Sequence, residues 1–373
     1  MYETMNNTPK RKKIRIRYIV LICLLIYVWL TLLIPPLGAF YSKWIYPYVS
    51  VILSNFSKLF PFSLNNLFIL SGIVGLIIFP IYSRYKANQR SWKKIIFQVG
   101  VFAVCFYVWF YIAWGLNYAQ PDFFQRTPMC KNNTYDKELF SDFLEEYLGG
   151  LNNSYTLIEK RNVNRIRKEI YRQYFSLNPD DYGIHNLTML PPKHKKILFP
   201  KLFTKMGISG FMGPFFCEYH INEFIPNSQY ASTLAHELSH FLGVANEAEA
   251  SFYSYIACTN SMENEIQFSG YLSVLNYVLH DAKKIYTEEE YDQILLGIRP
   301  EVKEVAKQNY LFWKKNCNPT LSSAQDKIYD IYLKGNKIKS GTENYSEVIE
   351  LLISHQQWKR EQEELYRIQE GLK

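Results

Sequence analysis

Long uninterrupted apolar segments occupy the amino-terminal third of the chain and do not recur after it. Three of them contain no charged residue, at about 18–34, 67–83 and 95–118. Each is close to the roughly 17–25 residues with which an α-helix crosses the hydrocarbon core of a bilayer. The pattern therefore predicts three transmembrane helices, with the lipid bilayer as a partner. The second segment is the shortest and contains two glycines and a proline, so a re-entrant or tilted segment is its alternative.

From residue 119 onward, polar and apolar residues mix with the spacing of amphipathic helices. Helical periodicity is clearest at 137–148, 163–174, 228–242, 248–258, 271–286, 288–310 and 346–366. Between 187 and 226, prolines and glycines separate short β-like pieces such as FFCEYHINEFI. The pattern predicts a mainly α membrane protein, with an anchor over 1–118 and one α+β domain with a small sheet over 119–373.

The chain carries a formal net charge of +8, which would ordinarily raise nucleic acid as a partner. Residues 1–118 hold 13 Lys and Arg and one acidic residue, whereas residues 119–373 hold 29 basic and 33 acidic residues. The basic excess lies beside the apolar segments, and the large domain is mildly acidic. Nucleic acid is therefore not an expected partner.

Basic residues also predict the orientation of the chain. Six lie within 10–17 and five within 84–94, but only two lie within 40–66. Short basic connections face the cytoplasm. We therefore expect a multi-pass protein of the cell membrane, with its amino terminus in the cytoplasm and residues 119–373 outside the cytoplasm. The first apolar segment resembles a signal peptide, but its length and the lack of a small-x-small site favour an uncleaved anchor.

Six cysteines in 373 residues are too few for a disulfide-stapled scaffold. Cys130, Cys217, Cys258 and Cys317 fall on the predicted outer side. One or two disulfides and free thiols are both open for these four residues.

The motif with the clearest chemistry is HELSH, which places His236, Glu237 and His240 in an H-E-x-x-H arrangement. On a helix, the two histidines lie one turn apart on one face, so both imidazoles can bind one metal ion. The glutamate between them can reach a water molecule bound to that ion. Gly243 can end this helix in a left-handed turn. The motif predicts a zinc site with Glu237 as general base.

A catalytic zinc site needs a third protein ligand. Glu247 and Glu249 follow the glycine turn, and either can return a carboxylate to the metal. Asn246 stands where a metzincin would have its third histidine. The context of Glu247 is similar to the third-ligand helix of the thermolysin-like glutamate-zincins, although Ser251 replaces the usual aspartate that orients a histidine. Glu247 is the preferred ligand and Glu249 the alternative.

Three sequence blocks carry a resemblance to a known family. They are GISGFMGPFFCEYHIN at 207–222, HELSHFLGVANEAEASF at 236–252 and FSGYL at 268–272, together with a PFS segment at 61–63 and the three-helix anchor. The chain resembles the bacterial membrane proteins of domain-of-unknown-function family 3810 (DUF3810). That resemblance implies a zincin-like peptidase domain on a multi-pass anchor.

Together these features predict a membrane-anchored zinc metalloendopeptidase acting on a protein or peptide substrate. Glu218 and Asn222, on a strand-like segment before HELSH, are candidate substrate-binding residues of an edge strand, or the polar face of a half-buried strand. Tyr271 is a candidate oxyanion donor, or a structural tyrosine. A non-catalytic zinc-binding sensor or scaffold is the alternative function. Intramembrane proteolysis is disfavoured because polar sequence flanks HELSH.

Overall fold

The computed structural model describes residues 8–85, 91–131, 135–184, 194–338, 340–341 and 347–371. Part of the second basic connection, residues 86–90, lies outside these ranges, and so does the start of the predicted β-like region, residues 187–193. The chain forms two compact units. Unit 1 is Met1–Pro121 with Gly213–Cys217, and unit 2 is Asp122–Met212 with Glu218–Lys373.

Unit 1 consists of helices. They are α1 (Thr8–Leu33), α2 (Pro35–Phe40), a π-helix (Tyr41–Ile45), α3 (Tyr46–Lys58), α4 (Leu64–Tyr85), α5 (Trp92–Ala113) and a 3₁₀-helix (Gly115–Ala119). Segments of α1, α4 and α5 are long and apolar enough to cross a membrane, with mean hydropathies of 2.4, 2.1 and 2.1. The three predicted apolar helices are therefore confirmed. The third ends at Ala113 rather than near residue 118, because the chain tightens into the 3₁₀-helix at Gly115, where a Cβ atom would lie 2.5 Å from the Phe110 ring.

A short loop, Gly213–Cys217, packs with the helices of unit 1. The Phe215 ring lies 4.9 Å from the ring of Phe68 on α4 and 4.5 Å from that of Phe106 on α5. Trp109 Nε1 donates a hydrogen bond to the Phe215 carbonyl oxygen at 3.1 Å. These tilted ring pairs add to the burial of apolar area, and together with the hydrogen bond they hold the loop against α4 and α5.

Unit 2 is also mainly helical. Its helices are α6 (Phe123–Arg126), α7 (Lys137–Ser154), α8 (Val163–Ser176), α9 (Pro179–Tyr182), α10 (Pro200–Lys205), α11 (Asn227–Phe241), α12 (Glu247–Thr259), α13 (Asn264–Ile285), α14 (Glu288–Gly297), α15 (Pro300–Asn316), α16 (Pro319–Gly335) and α17 (Val348–Gln369). The predicted helix over 288–310 is two helices, because Pro300 lacks the N–H that a continuous helix needs and instead starts α15. Helix α16 was not predicted.

Three short strands form the sheet: β1 (Lys195–Lys196), β2 (Gly210–Gly213) and β3 (Glu218–Ile221). Their order is β1-β3-β2, and β1 runs parallel to β3 with Lys195 opposite His220. The prediction that β3 is an edge strand is wrong, because β1 pairs with one side of β3 and β2 with the other. All four residues of β3 are buried, and β2 is an edge strand.

Helices α11, α12 and α13 form the core of unit 2. Small residues let them pack closely: Ser254 Oγ donates to the Ser232 carbonyl oxygen at 2.7 Å, and Ser269 Oγ donates to Ser232 Oγ at 3.1 Å. These bonds satisfy buried hydroxyls that would otherwise destabilise the core. None of the six cysteines, all of which lie in the described ranges, forms a disulfide.

Candidate metal centre

The metal-binding motif lies on the last turns of α11 and the first turn of α12. His236 and His240 are one helical turn apart on α11, so their rings share one face. Gly243 has φ +95°, in the left-handed region that favours glycine, and it turns the chain back. Asn246 then caps α12, because its Oδ1 accepts a hydrogen bond from the Glu249 N–H at 2.9 Å. This sharp turn brings Glu247 back to the two histidines.

The side chains of His236, His240 and Glu247 converge. Their candidate ligand atoms all lie within 4.8 Å of one another. Glu247 Oε2 is 3.0 Å from His236 Nε2 and 3.4 Å from His240 Nε2, and the two Nε2 atoms are 3.2 Å apart. Tetrahedral zinc with bonds of 2.0–2.1 Å separates its ligand atoms by about 3.3 Å. The spacing and chemistry of this triad therefore fit a zinc ion.

Each member of the triad also has a contact outside it. His240 Nδ1 donates to the Val244 carbonyl oxygen at 2.7 Å, which turns Nε2 toward the triad. Ser251 Oγ lies 3.4 Å from His236 Nδ1. The Tyr329 hydroxyl on α16 donates to Glu247 Oε1. These outer contacts orient the rings and the carboxylate.

The charges within the triad suit a cation. Burial opposes ionisation of Glu247, but the neighbouring His240 and His236 outweigh burial and hold the pKa of Glu247 well below its usual value. Burial alone would lower the pKa of His240, yet the charge of Glu247 raises it to about 9. Burial lowers the pKa of His236. The ionised Glu247 carboxylate thus stabilises the protonated form of His240. A metal ion at this place would supply the same positive charge.

Glu237 lies beside the triad, on the buried side of α11. Burial raises its pKa to about 8, with the charge of His240 acting against this rise and that of Glu247 adding to it. Its Oε2 atom is buried and has no hydrogen-bond partner among the described residues. Strand β2 approaches it closely, since a Cβ on Gly210 would lie 2.7 Å from Glu237 Cγ and 2.8 Å from Oε1. Glu237 is a carboxyl group that can hold or release a proton near neutral pH.

Glu249, the alternative third ligand, points elsewhere. Its Oε2 pairs with the Arg126 guanidinium; the Glu249 side chain is buried and that of Arg126 is 12% exposed. Arg126 also donates to the Gly183 carbonyl oxygen at 2.6 Å. Of the two glutamates in the first turn of α12, the structure brings Glu247 to the histidines and Glu249 to an arginine.

The structure buries both predicted substrate-binding residues, Glu218 on β3 and Asn222 just after it. Asn222, just after β3, is fully buried, and its Nδ2 donates to Thr204 Oγ1 at 2.9 Å. Glu218 is 2% exposed, with Oε2 3.7 Å from His220 Nε2. Neither side chain is presented at the surface of unit 2, because β3 is the central strand. Asn222 instead holds α10 against the sheet.

Tyr271, the candidate oxyanion donor, packs between α13 and α7. Tyr147 donates from its hydroxyl to the Tyr271 carbonyl oxygen at 2.7 Å, and the two rings lie 5.8 Å apart. The Tyr271 hydroxyl lies against Gly150, where a Cβ would be 2.2 Å away. Tyr277 lies later on the same helix, α13. Burial raises the pKa of Tyr277, and the charge of nearby Glu247 adds to this rise.

Three residues near the triad were not identified from the sequence: Gly210, Tyr277 and Tyr329. Tyr329 lies 82 residues after Glu247, on a helix that hydrophobic periodicity did not predict. Only Gly210 gave a signal, as one of several glycines in the β-like region. Contacts between distant parts of the chain leave no spacing pattern in the sequence.

No curated protein and no solved structure shows significant similarity to the chain. A family model described as a protein of unknown function, DUF3810, matches residues 41–353, which is most of the chain. That range includes the triad, Glu237, Gly210 and Tyr329, so the match extends well beyond the metal-binding motif. The resemblance carried by the sequence blocks is confirmed, and the chain belongs to the DUF3810 family.

Proposed function

We propose that the protein is a multi-pass membrane protein whose unit 2 is a zincin-like zinc metallopeptidase that hydrolyses peptide bonds in proteins or peptides. The observation that carries the proposal is the spacing of the triad. Separations of 3.0, 3.2 and 3.4 Å among two imidazole nitrogens and one carboxylate oxygen fit one tetrahedral zinc ion. Two histidines and a glutamate leave a fourth position open, as in catalytic zinc sites.

A zinc ion bound by His236, His240 and Glu247 would supply a water of lowered pKa and polarise the substrate carbonyl. Glu237 is the proton carrier in this proposal. In its ionised form, its carboxylate would accept a proton from the attacking water and then donate that proton to the departing amine.

Strand β2 is the proposed substrate-binding strand. It is an edge of the sheet, and its first three residues, Gly210 to Met212, are partly exposed. An extended peptide can pair with the free backbone groups of an edge strand. Gly210 allows the backbone to pass within contact distance of the Glu237 carboxylate. A peptide paired with β2 would therefore have its backbone next to the proton carrier.

The distribution of basic residues supports an orientation. Six basic residues lie within 10–17 and five within 84–94, whereas the connection between α1 and α4 has only two lysines. We therefore place the amino terminus in the cytoplasm and unit 2 outside the cytoplasm. The substrates in this proposal are proteins or peptides on the outer side of the membrane.

Metal content and cleavage test the proposal on the full-length chain in detergent. The wild type should hold about one zinc ion per chain. His236→Ala and His240→Ala should lose it, whereas His280→Ala, at an exposed position of α13, should keep it. Glu237→Gln should keep zinc and lose cleavage of a mixed peptide library.

Two outcomes would contradict parts of this proposal. Zinc retained in full by both triad histidine variants would refute the site. Zinc bound at the triad, with wild type and Glu237→Gln equally inert on the library, would favour the alternative of a non-catalytic sensor or scaffold. The unpartnered Glu237 carboxylate supports the peptidase, because a binding module has no need of a buried base there.

A further inference from the structure

Helix α10 and the residues before it form an exposed surface that is both apolar and basic. Leu198, Phe199 and Leu202 are 46%, 65% and 45% exposed. Lys196, Lys201 and Lys205 are exposed around them. We call these six residues the α10 surface. None of its three lysines forms an ion pair with any residue in the described ranges.

The α10 surface lies in a long stretch without negative charge. Residues 182–217 contain five lysines and no aspartate or glutamate, although unit 2 as a whole is acidic. Large apolar side chains interleaved with lysines are the pattern of a surface that enters the headgroup region of an anionic bilayer. A protein partner of ordinary composition would not need this charge bias, whereas phospholipid headgroups match it.

Phe199 is held in an unusual conformation. Its φ is +61° and its ψ is +54°, in the left-handed region that is sterically unfavourable for a phenylalanine. The residue nevertheless exposes most of its ring to solvent. Backbone strain that exposes a large apolar side chain indicates a binding role, because the fold gains no burial from it.

The chain soon reaches unit 1 after this surface. Seven residues separate Lys205 from Gly213, the start of the loop whose Phe215 packs against α4 and α5. Both of those helices are apolar and long enough to cross a membrane. Two hydrogen bonds fix α10 within unit 2: the Asn222 to Thr204 bond, and the bond that the Asn318 N–H donates to the Lys205 carbonyl oxygen at 2.8 Å.

We propose that the α10 surface docks unit 2 on the anionic headgroups of the membrane that holds its own anchor, with Phe199 inserted among the lipids. This inference does not depend on a metal ion or on peptidase activity. It requires only that unit 1 spans the bilayer, so a failure of the zinc proposal would leave it standing.

Photocrosslinking of the full-length chain in lipid nanodiscs tests the docking. Benzoyl-phenylalanine at position 199 should form adducts with lipid in discs that contain phosphatidylglycerol, and fewer in pure phosphatidylcholine. The same group at position 366, where Tyr366 is 58% exposed on the acidic end of α17, is the matched control and should form no lipid adduct. No lipid adduct at 199, or equal adducts at both positions, would overturn the proposal.

Charge substitutions separate lipid docking from simple proximity. Replacing Lys196, Lys201 and Lys205 by Gln should lower the docked-to-free ratio by about fivefold for each lysine in phosphatidylglycerol discs. Hydrogen exchange of 194–205 in the unsubstituted chain gives a second reading, and it should be slower in phosphatidylglycerol than in phosphatidylcholine. Equal exchange in the two lipids, or an adduct yield unchanged by the triple substitution, would show that anionic headgroups do not hold this surface.

Discussion

At the scale of single residues, the proposed metal centre depends on which of two nearby glutamates, Glu247 or Glu249, faces the histidines. Glu247→Gln should weaken zinc binding by more than about 100-fold, because it removes a charged ligand. Glu249→Gln should keep zinc but lower the free energy of unfolding by about 3 kcal/mol, since it leaves the buried Arg126 guanidinium without its anion. Chelator competition and thermal unfolding measure the two effects. Zinc loss in Glu249→Gln with zinc retained in Glu247→Gln would reverse the assignment.

The second residue-scale prediction concerns Tyr329, a positioning residue that acts through Glu247. Its hydroxyl donates to Glu247 Oε1, which leaves Oε2 to face the histidines. Tyr329→Phe should lower zinc affinity about 10–100-fold, the usual effect of losing an outer contact of a metal ligand. Tyr332→Phe, whose ring stacks 5.9 Å from that of Tyr329, is the control and should leave affinity unchanged. If Tyr329→Phe and Tyr332→Phe have the same melting temperature and the same zinc affinity in chelator competition, Tyr329 has no positioning role.

At the scale of elements, α17 is held in unit 2 by residues that include a buried histidine. Burial lowers the pKa of His355 to about 3, and the charge of Lys359 adds to this shift. The unfolded chain therefore takes up this proton near pH 6.5, while the folded chain resists it. Stability supplied by neutral His355 is present above pH 6.5 and is lost as the pH falls toward 3, by up to about 1.4 kcal/mol per pH unit.

His355→Gln tests this contribution, because glutamine keeps a polar group near the Tyr182 hydroxyl, 3.1 Å from His355 Nε2, but does not titrate. Melting of both chains between pH 6.5 and 4.5 should show a shallower loss of stability for the variant. The comparison between the two chains cancels every other titrating group. Parallel pH dependences would mean that His355 takes up its proton at the same pH in the folded and the unfolded chain, which would contradict the lowered pKa.

Element by element, the sequence predicts what depends on local spacing. The H-E-x-x-H motif and Gly243 fix α11, its end and the return of α12, so His236 and His240 follow directly. The choice between Glu247 and Glu249 does not follow from local spacing. It depends on Arg126, which lies 121 residues before Glu247 and pairs with Glu249. Helix α16 escaped prediction because its larger apolar residues Leu321, Ile328 and Ile331 are exposed rather than directed to the core.

At the scale of the whole molecule, charge divides the chain more sharply than its net value of +8 indicates. Residues 1–118 carry almost all of the excess, and residues 119–373 have four more acidic than basic residues. Within that acidic part, residues 182–217 are an exception with five lysines and no acid. The two basic regions therefore have separate proposed roles. The first orients the anchor, and the second holds unit 2 on the headgroups.

The proposed orientation makes Cys130 a natural reporter, because it is exposed in unit 2, whereas Cys217 and Cys258 are buried. In spheroplasts, a membrane-impermeant maleimide should label the chain without lysis, and Cys130→Ser should remove most of the signal, with partly exposed Cys317 accounting for the rest. Cys23 and Cys105 lie in helices α1 and α5, where such a reagent does not reach thiols surrounded by lipid. Labelling that appears only after lysis would place unit 2 in the cytoplasm, and with it the metal centre and its substrates.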